Sequence, residues 1–474
     1  DGVSGKNTAT QALKKILKGT GLTYMVTSHD SVVLKKNKTI ATQKEIKTNK
    51  KKELKESLKM EQIVVTATLS PVEVQEVPAA VNVVTSDDIK LQAGSDDYYE
   101  AVRFLPGVFI RDSGFHKDIY IRGKYAAMLV DGRDINPYGM SQASVMANPM
   151  NIGMGSVERI EVIKGPQAAI HGAKAVSGVM NVIRKKGDKD NPYITLRGFY
   201  GDSEALHSGL SLGGGYDKLS YFLDLYAAQQ DEYKTPKGTI PYMDFNRKNV
   251  YARFDYSFSR DHELTFDFTF NRSKNTLGGP GYYYQPSEWR SIYSYEPKYD
   301  GAFLSYKGNL TDWFSLDTYL GIARNSVRVV YGRPNYEPEH FFNNANDTTY
   351  DENIVQGEIR GTFTLPSDDR YKAIVGIQYK HTDLDGVSER TTAGIKAPYF
   401  SWDKKENYWA PYMQIEVRPI PYILAVAGIR HDDYESDEKE FSKTSPNIGM
   451  SVFPFANTGY NWTTIWASYS EAFR

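Results

Sequence analysis

No cysteine occurs among the 474 residues, which excludes disulfides, thiolate nucleophiles and cysteine-ligated zinc or iron–sulfur centres. That absence also suits an oxidising compartment, where a free thiol is a liability. No apolar run approaches the roughly 18 residues of a membrane helix, and the mean hydropathy is -0.51. Neither charge dominates, because 57 Lys and Arg stand against 58 Asp and Glu. The clustered basic excess of a nucleic-acid binder is therefore missing. Catalytic signatures are missing as well: there is no Gly-x-Ser-x-Gly, no His-Glu-x-x-His and no phosphate-cradling loop. The eight histidines are scattered, with no pair at a metal-ligand spacing. Asp383-Leu384-Asp385-Gly386 has the outline of a calcium loop without its later Glu, and reads as a turn. The acidic run Asp432-Asp433-Tyr434-Glu435-Ser436-Asp437-Glu438 reads as a solvated loop. The chain does not read as an enzyme, and no resident metal or cofactor is expected.

What is abundant is tyrosine, with 35 copies in a chain that is 13% aromatic. Low hydropathy with many aromatics leaves two classes, a soluble protein or a β-barrel, whose alternating strands hide from hydropathy plots. The first residue is Asp1 and no signal peptide precedes it, so the N-terminus reads as processed or cut. Residues 7–18 predict a short helix, with Thr8 and Gln11 as a capping box and Gly19 as its stop. Strands are expected at 22–26 and 31–35, making a small α+β piece over 1–34. Residues 35–60 carry ten Lys and three Glu and predict a solvated linker. Residues 68–190 read as mixed α/β, with strands at 81–85, 157–164 and 179–185 and a helix at 96–104.

From residue 191 the period becomes two. In 249–260, Val250, Ala252, Phe254, Tyr256 and Phe258 face one way, and Tyr251, Arg253, Asp255 and Ser257 the other. Residues 262–271, 313–322, 371–380 and 422–430 alternate likewise, giving about thirteen strands near the ~9–11 residues of a membrane strand. Connections alternate in length. Short ones fall at 214–217, 259–262, 311–312, 366–370 and 419–421, and long ones near 231–248, 275–298, 332–350, 386–406 and 434–445. Short turns on one rim and long loops on the other mark an outer-membrane barrel. Tyr221, Tyr226, Trp313, Tyr408, Trp409, Trp462 and Trp466 are girdle candidates, although any one of them could instead pack inside.

Residues 61–67, Glu61-Gln62-Ile63-Val64-Val65-Thr66-Ala67, form a short β-prone run after a flexible linker. Such a run is either an exposed strand awaiting a partner edge or the first strand of the next domain. Further on come Leu105-Pro106-Gly107-Val108, Ile121-Arg122-Gly123 and Leu129-Val130-Asp131-Gly132. They are followed by Val157-Glu158-Arg159-Ile160-Glu161-Val162-Ile163-Lys164-Gly165-Pro166 and Gly178-Val179-Met180-Asn181-Val182-Ile183. In this order and spacing the chain closely resembles the TonB-dependent outer-membrane receptors. The barrel agrees at Tyr412-Met413-Gln414-Ile415-Glu416, Gly428-Ile429-Arg430 and Ser445-Pro446-Asn447, although His171 stands where the family commonly has Tyr before Gly. The N-terminal piece resembles part of the family's periplasmic signalling domain.

The resemblance implies a mainly β fold: a transmembrane antiparallel barrel over 191–474, incomplete against the family's 22 strands, behind an α/β plug at 68–190. It makes 61–67 the TonB box, with Gln62, Ile63, Val64, Val65, Thr66 and Ala67 binding the TonB energy-transducing complex. It implies active uptake of a scarce solute across the bacterial outer membrane, with the N-terminal part in the periplasm. The expected ligand is a small metal chelate, a ferric siderophore, with cobalamin, haem or a glycan as alternatives. Signalling through an anti-sigma regulator is a second role for such a receptor, and lipid is its other partner. The plug apices are expected near 112–117 and 136–150, which nominates Phe115, His116 and Tyr138 for ligand binding. Tyr282, Tyr283 and Tyr284 on a Gly–Pro loop, with Arg290, either join that site or belong to the girdle. Arg122 and Arg159 are expected to meet the inward carboxylates Glu416 and Glu471 at the wall, or to bond only within the plug.

Overall fold

Alternating apolar and polar residues give the second half of the chain strands with two unlike faces. The computed structural model describes residues 13–15, 17–18, 22–28, 31–36, 63–64, 69–70, 72–91, 98–112, 117–134, 152–172, 175–201, 204–235, 238–240, 244–278, 292–332, 344–366, 368–392, 395–454 and 463–471. Thirteen barrel strands run in sequential antiparallel order from Tyr193–Tyr200 to Ile465–Ser470. Short links separate Leu206–Tyr216 from Leu219–Gln230, Phe245–Ser257 from His262–Gly278, and Ile292–Thr311 from Phe314–Gly332. They do the same for Asn344–Leu365 and Asp368–Thr392, and for Ile395–Val417 and Ile423–Ser436.

The outward faces carry a sharp boundary. Phe270, Ile322, Val355 and Ile429 are exposed and apolar, and the next outward residues along their strands are Arg272, Arg324, Asn353 and His431. From Val355 down to Phe363 the apolar face covers roughly 20 Å at the usual strand rise and tilt. Tyr379 and Trp409 pair at the upper boundary with ring centroids 4.2 Å apart, while Trp313 and Phe363 stack at the lower one.

Strands longer than expected overturn part of the loop assignment. Asp368–Thr392 has 25 residues and Ile395–Val417 has 23, so 386–406 is a tall hairpin with only 393–394 between its strands. The calcium-like 383–386 lies within the Asp368–Thr392 strand and is not a turn. Most of the acidic run 432–438 likewise continues the Ile423–Ser436 strand. Cross-strand pairing above the membrane satisfies backbone groups that a loop would leave to water.

Inside the sheet lies a smaller one, in the order Arg133–Asp134, Ala127–Val130, Gly178–Arg184, Val157–Lys164, Ala80–Thr85. Its core is apolar, built on Val84, Ile121, Val157, Ile160, Val162, Met180 and Val182. The helix expected at 96–104 is found as the shorter Tyr98–Val102, and an unexpected helix, Ser86–Leu91, precedes it. Two tight turns, Arg122-Gly123 and Asp131-Gly132, adopt positive φ. Gly132 N–H donates to Asn181 Oδ1 at 3.0 Å, which ties the second turn to the neighbouring strand.

The strands Leu22–Ser28 and Ser31–Lys36 form the expected hairpin. It does not stand apart as a separate piece: Val33 pairs with Thr195 on the first barrel strand. An unpaired sheet edge is a template for any extended segment, and the hairpin occupies that edge. Residues 13–15 and 17 are helical. The linker positions 37–60 lie outside the described residues.

Candidate functional site at the plug and barrel interface

The inward faces of the barrel strands are polar, and the plug sheet meets them through arginines. Arg133 stands just beyond the Asp131-Gly132 turn. Its Nη1 and Nη2 donate to the two carboxylate oxygens of Asp267 at 3.0 and 2.8 Å, and Nη2 also reaches Ser305 Oγ at 3.1 Å. Arg184, at the end of the next strand but one, donates from Nε to Asp131 at 2.7 Å. Its Nη2 reaches Asp267 at 2.9 Å and its Nη1 reaches Thr269 at 2.7 Å. Each guanidinium also lies over a ring, Arg133 at 4.2 Å from the Phe303 centroid and Arg184 at 3.9 Å from that of Tyr251. The side chains of Arg133, Arg184 and Asp267 are 8%, 5% and 2% exposed. Charges so buried are tolerated only when paired and hydrogen-bonded. Burial alone would raise the Asp131 carboxyl. Arg184 above all, with Arg133 and Arg253, instead holds it below the usual carboxylate range.

A second fastening surrounds the Gly153–Ser156 turn. Arg197 on the first barrel strand donates to Asp224 at 2.8 Å and to Ser211 at 3.0 Å. Its guanidinium lies against Gly155, where a Cβ would come within 1.7 Å. Lys185 Nζ donates to the Gly155 carbonyl at 3.0 Å. Burial, then Arg197 and Lys90, push the Lys185 amine down to about 8.

Three further contacts lie at later strands of the barrel. Arg430 donates to the Ile170 carbonyl at 3.1 Å, to Asp432 at 2.8 Å and to Gln378 at 2.7 Å. Tyr408 donates to the same Asp432. Lower down, Ser70 Oγ lies 2.7 Å from both oxygens of Glu416, and Arg418 pairs with Glu76.

The expected pairing of Arg122 and Arg159 with Glu416 and Glu471 is corrected. Arg159 bonds within the plug, to Glu158 at 3.0 Å and Glu161 at 2.9 Å. Arg122 is exposed in its left-handed turn, with Nη1 over Gly165. Glu416 does face inward and meets the plug, through Ser70. Glu471 shares a side with the outward Tyr469, whose hydroxyl donates to it at 3.1 Å, and lies 3.7 Å from Lys443.

Three girdle candidates are also corrected. Tyr226 and Tyr408 are buried on the inward face, whereas Tyr221, Trp313 and Trp409 are exposed. Trp466 shares the inward register of Ser451. Ile63 and Val64 form a strand. Gln62, Val65, Thr66, Ala67, Phe115, His116, Tyr138, Tyr282, Tyr283, Tyr284, Arg290 and Trp462 lie outside the described residues. Among the described residues no group of three or more His, Asp or Glu is placed to hold a metal ion.

Two family models match the chain along this division into plug and barrel. The TonB-dependent Receptor Plug Domain matches residues 73–179, and the TonB dependent receptor-like beta-barrel matches 184–474. The chain belongs to the TonB-dependent outer-membrane receptors, a family of receptors and transporters that reside in the bacterial outer membrane. It is 26% identical over 291 residues to the "Iron-regulated outer membrane virulence protein" of Vibrio cholerae, covering 56% of this chain and 42% of that one. It is 26% identical over 260 residues to the "Vitamin B12 transporter BtuB" of Vibrio vulnificus, covering 51% and 40%. The chain thus spans about two fifths of the length of these curated relatives. The ferripyoverdine receptor of Pseudomonas aeruginosa superposes with a TM-score of 0.68 at 16% identity, covering 99% of this chain and 65% of that one. The siderophore receptor PiuA of Acinetobacter baumannii gives 0.64 at 14%, covering 87% and 68%.

Proposed function

We propose that this receptor takes up a scarce solute actively, drawing energy from the TonB complex through the strand at Gln62–Ala67, and that the solute is a ferric siderophore. The observation that carries the reading is the plug itself, seated in the lumen and fastened to the wall at Asp267 and at Glu416. A passive pore has no use for a seated plug. Support for the ligand comes from the names of similar proteins, of which one is iron-regulated and two are siderophore or ferripyoverdine receptors. Cobalamin is the second reading, favoured by the relative named a vitamin B12 transporter. Signalling to a regulator through the N-terminal segment rests on the sequence resemblance alone.

Strand augmentation runs on main-chain hydrogen bonds, so backbone damage matters more than side-chain identity. Val64→Pro in the intact receptor is expected to abolish uptake and leave ligand binding unchanged. Normal transport by that variant removes the energising role from this strand. Uptake of radioiron chelates measured beside labelled cobalamin separates the two ligands.

A further inference from the structure

Register places one outward-facing row of residues across seven neighbouring barrel strands. Lys248 stands opposite Arg272, and Arg272 opposite Lys298. The row continues through Ser326 to Asp351, Asp385 and Asp403. Parity puts all of them on the lipid-facing side, because their neighbours along the strands, Asn271, Asn325, Glu352 and Leu384 among them, are buried inward. The strands are tilted, so the two ends of the row lie at different depths. At the basic end the next outward residues below are Val250 and Phe270, at the top of the apolar face. The cations therefore sit about 5 Å above that boundary at the usual strand rise and tilt. At the acidic end Asp351 lies four residues beyond the apolar Val355, and Asp403 six beyond Trp409. Those carboxylates stand well outside the depth of the cations.

Like charges directly opposite one another on adjacent strands repel across roughly 5 Å, and here three follow in succession. Nearby carboxylates do not balance them. Asp300 is taken up by Arg272, which donates to both of its oxygens at 2.7 and 2.8 Å. Glu296 lies 3.7 Å from Lys274 and 3.9 Å from Arg328. Lys248 and Lys298 are exposed, and among the described residues neither has a carboxylate within ion-pair distance. Beneath them runs a column of outward rings, Phe266, Phe268 and Phe270, with Phe254 opposite Phe266. The Arg272 guanidinium lies 3.9 Å from the Phe270 centroid, at the top of that column. We propose that Lys248, Arg272 and Lys298 hold the phosphate of an outer-leaflet lipid whose acyl chains lie along Phe266, Phe268 and Phe270. The row's own carboxylates are too far out to serve, so the counter-charge comes from the membrane. A phosphate offers acceptor oxygens to all three donors in charge-assisted bonds. The rings below take the chains, so one surface matches both headgroup and tail, whereas a free phosphate uses only its upper half.

Native mass spectrometry of the intact receptor in a neutral detergent reads the occupancy. Dioleoyl phosphatidic acid is expected to bind roughly tenfold or more tightly than dioleoylglycerol, which has the same chains and no phosphate. Lys248→Gln combined with Lys298→Gln is expected to weaken phosphatidic acid roughly 30-fold, while Lys248→Arg combined with Lys298→Arg retains it. Lys405→Gln alters an outward lysine opposite Asp383 and is expected to leave the affinity within about twofold. Inorganic phosphate at the same concentration is expected to leave the lipid in place. Equal affinity for the two lipids overturns the site, as does an unchanged affinity in the double glutamine variant. An equal loss in Lys405→Gln also overturns it, because the effect is then one of overall charge. Displacement by inorganic phosphate leaves a small-anion site and removes the lipid. A lipid-free dimer that falls apart in the double glutamine variant assigns the row to a second copy of the chain instead, and likewise overturns the proposal.

Discussion

Around Asp267, two guanidinium groups converge on one buried carboxylate, and each of them is held in turn by a hydroxyl, of Ser305 or Thr269, and by an aromatic face. Around Glu416, one serine hydroxyl and one glutamine amide do the work, and the adjacent Arg418–Glu76 pair is half-exposed. Both are contacts between plug and wall, but they differ in kind. The first holds the Asp131–Asp134 turn and the last plug strand, next to the point where the chain enters the barrel. The second holds the segment that follows the Ile63–Val64 strand. Each buried charge near Asp267 depends on the others, so the cluster resists piecemeal removal. The fastening at Glu416 can be undone one hydrogen bond at a time.

The comparison is broken most directly at Asp267. Asp267→Ala leaves Arg133 and Arg184 buried with less counter-charge, at a cost of about 3–5 kcal/mol. It is expected to lower the melting temperature of the intact receptor and to admit large antibiotics through a loosened plug. Glu416→Ala is expected to do neither to a comparable extent, and equal destabilisation by the two variants would erase the distinction. A finer probe is Gly155→Ala. Its Cβ displaces the Arg197 guanidinium from Asp224, and the overpacking is expected to cost about 1–3 kcal/mol, read by denaturant unfolding.

The smallest effect concerns Lys185. Its amine is pushed down to about 8 in the folded plug, against about 10.4 in an unfolded chain. Between those values the unfolded chain binds more protons, so folding becomes more favourable as pH rises through that window. Below pH 8 the buried charge is a constant cost. Lys185→Met is expected to raise stability at neutral pH and to flatten the profile from pH 8 to 10, measured by unfolding across that range.

Much of the barrel was legible because side-chain parity is a local property. Phe254 and Phe266 outward, Asp255 and Asp267 inward, follow from a two-residue repeat and burial on one face. Strand ends were not legible. Above the lipid boundary both faces become polar, as at His381 and Asp383, so a long hairpin and a loop share one composition. The girdle errors were avoidable. Tyr226 has the parity of Asp224, and Tyr408 that of Gln414 and Glu416, whereas a headgroup-facing ring takes the other side. The pairing of Arg133 and Arg184 with Asp267 lay beyond the sequence. Parity says which residues face the lumen, but not at what height or around which part of the wall the plug meets them.

The plug sheet places Ala80–Thr85 at its edge, where among the described residues it is bonded on one side only, to Val157–Lys164. Ala80 is the residue nearest the N-terminal end and pairs with Lys164 at one extreme of the ladder. Tension entering from that end loads this pair first, and the pairs behind it stay sheltered until it parts, as the teeth of a zipper do. The neighbour left behind remains held on its far side by Gly178–Arg184, with a fresh row of unpaired N–H and C=O groups facing the gap. Such an edge is adhesive. The same register that yields tooth by tooth under load is a template on which the stripped strand closes again once the load is gone.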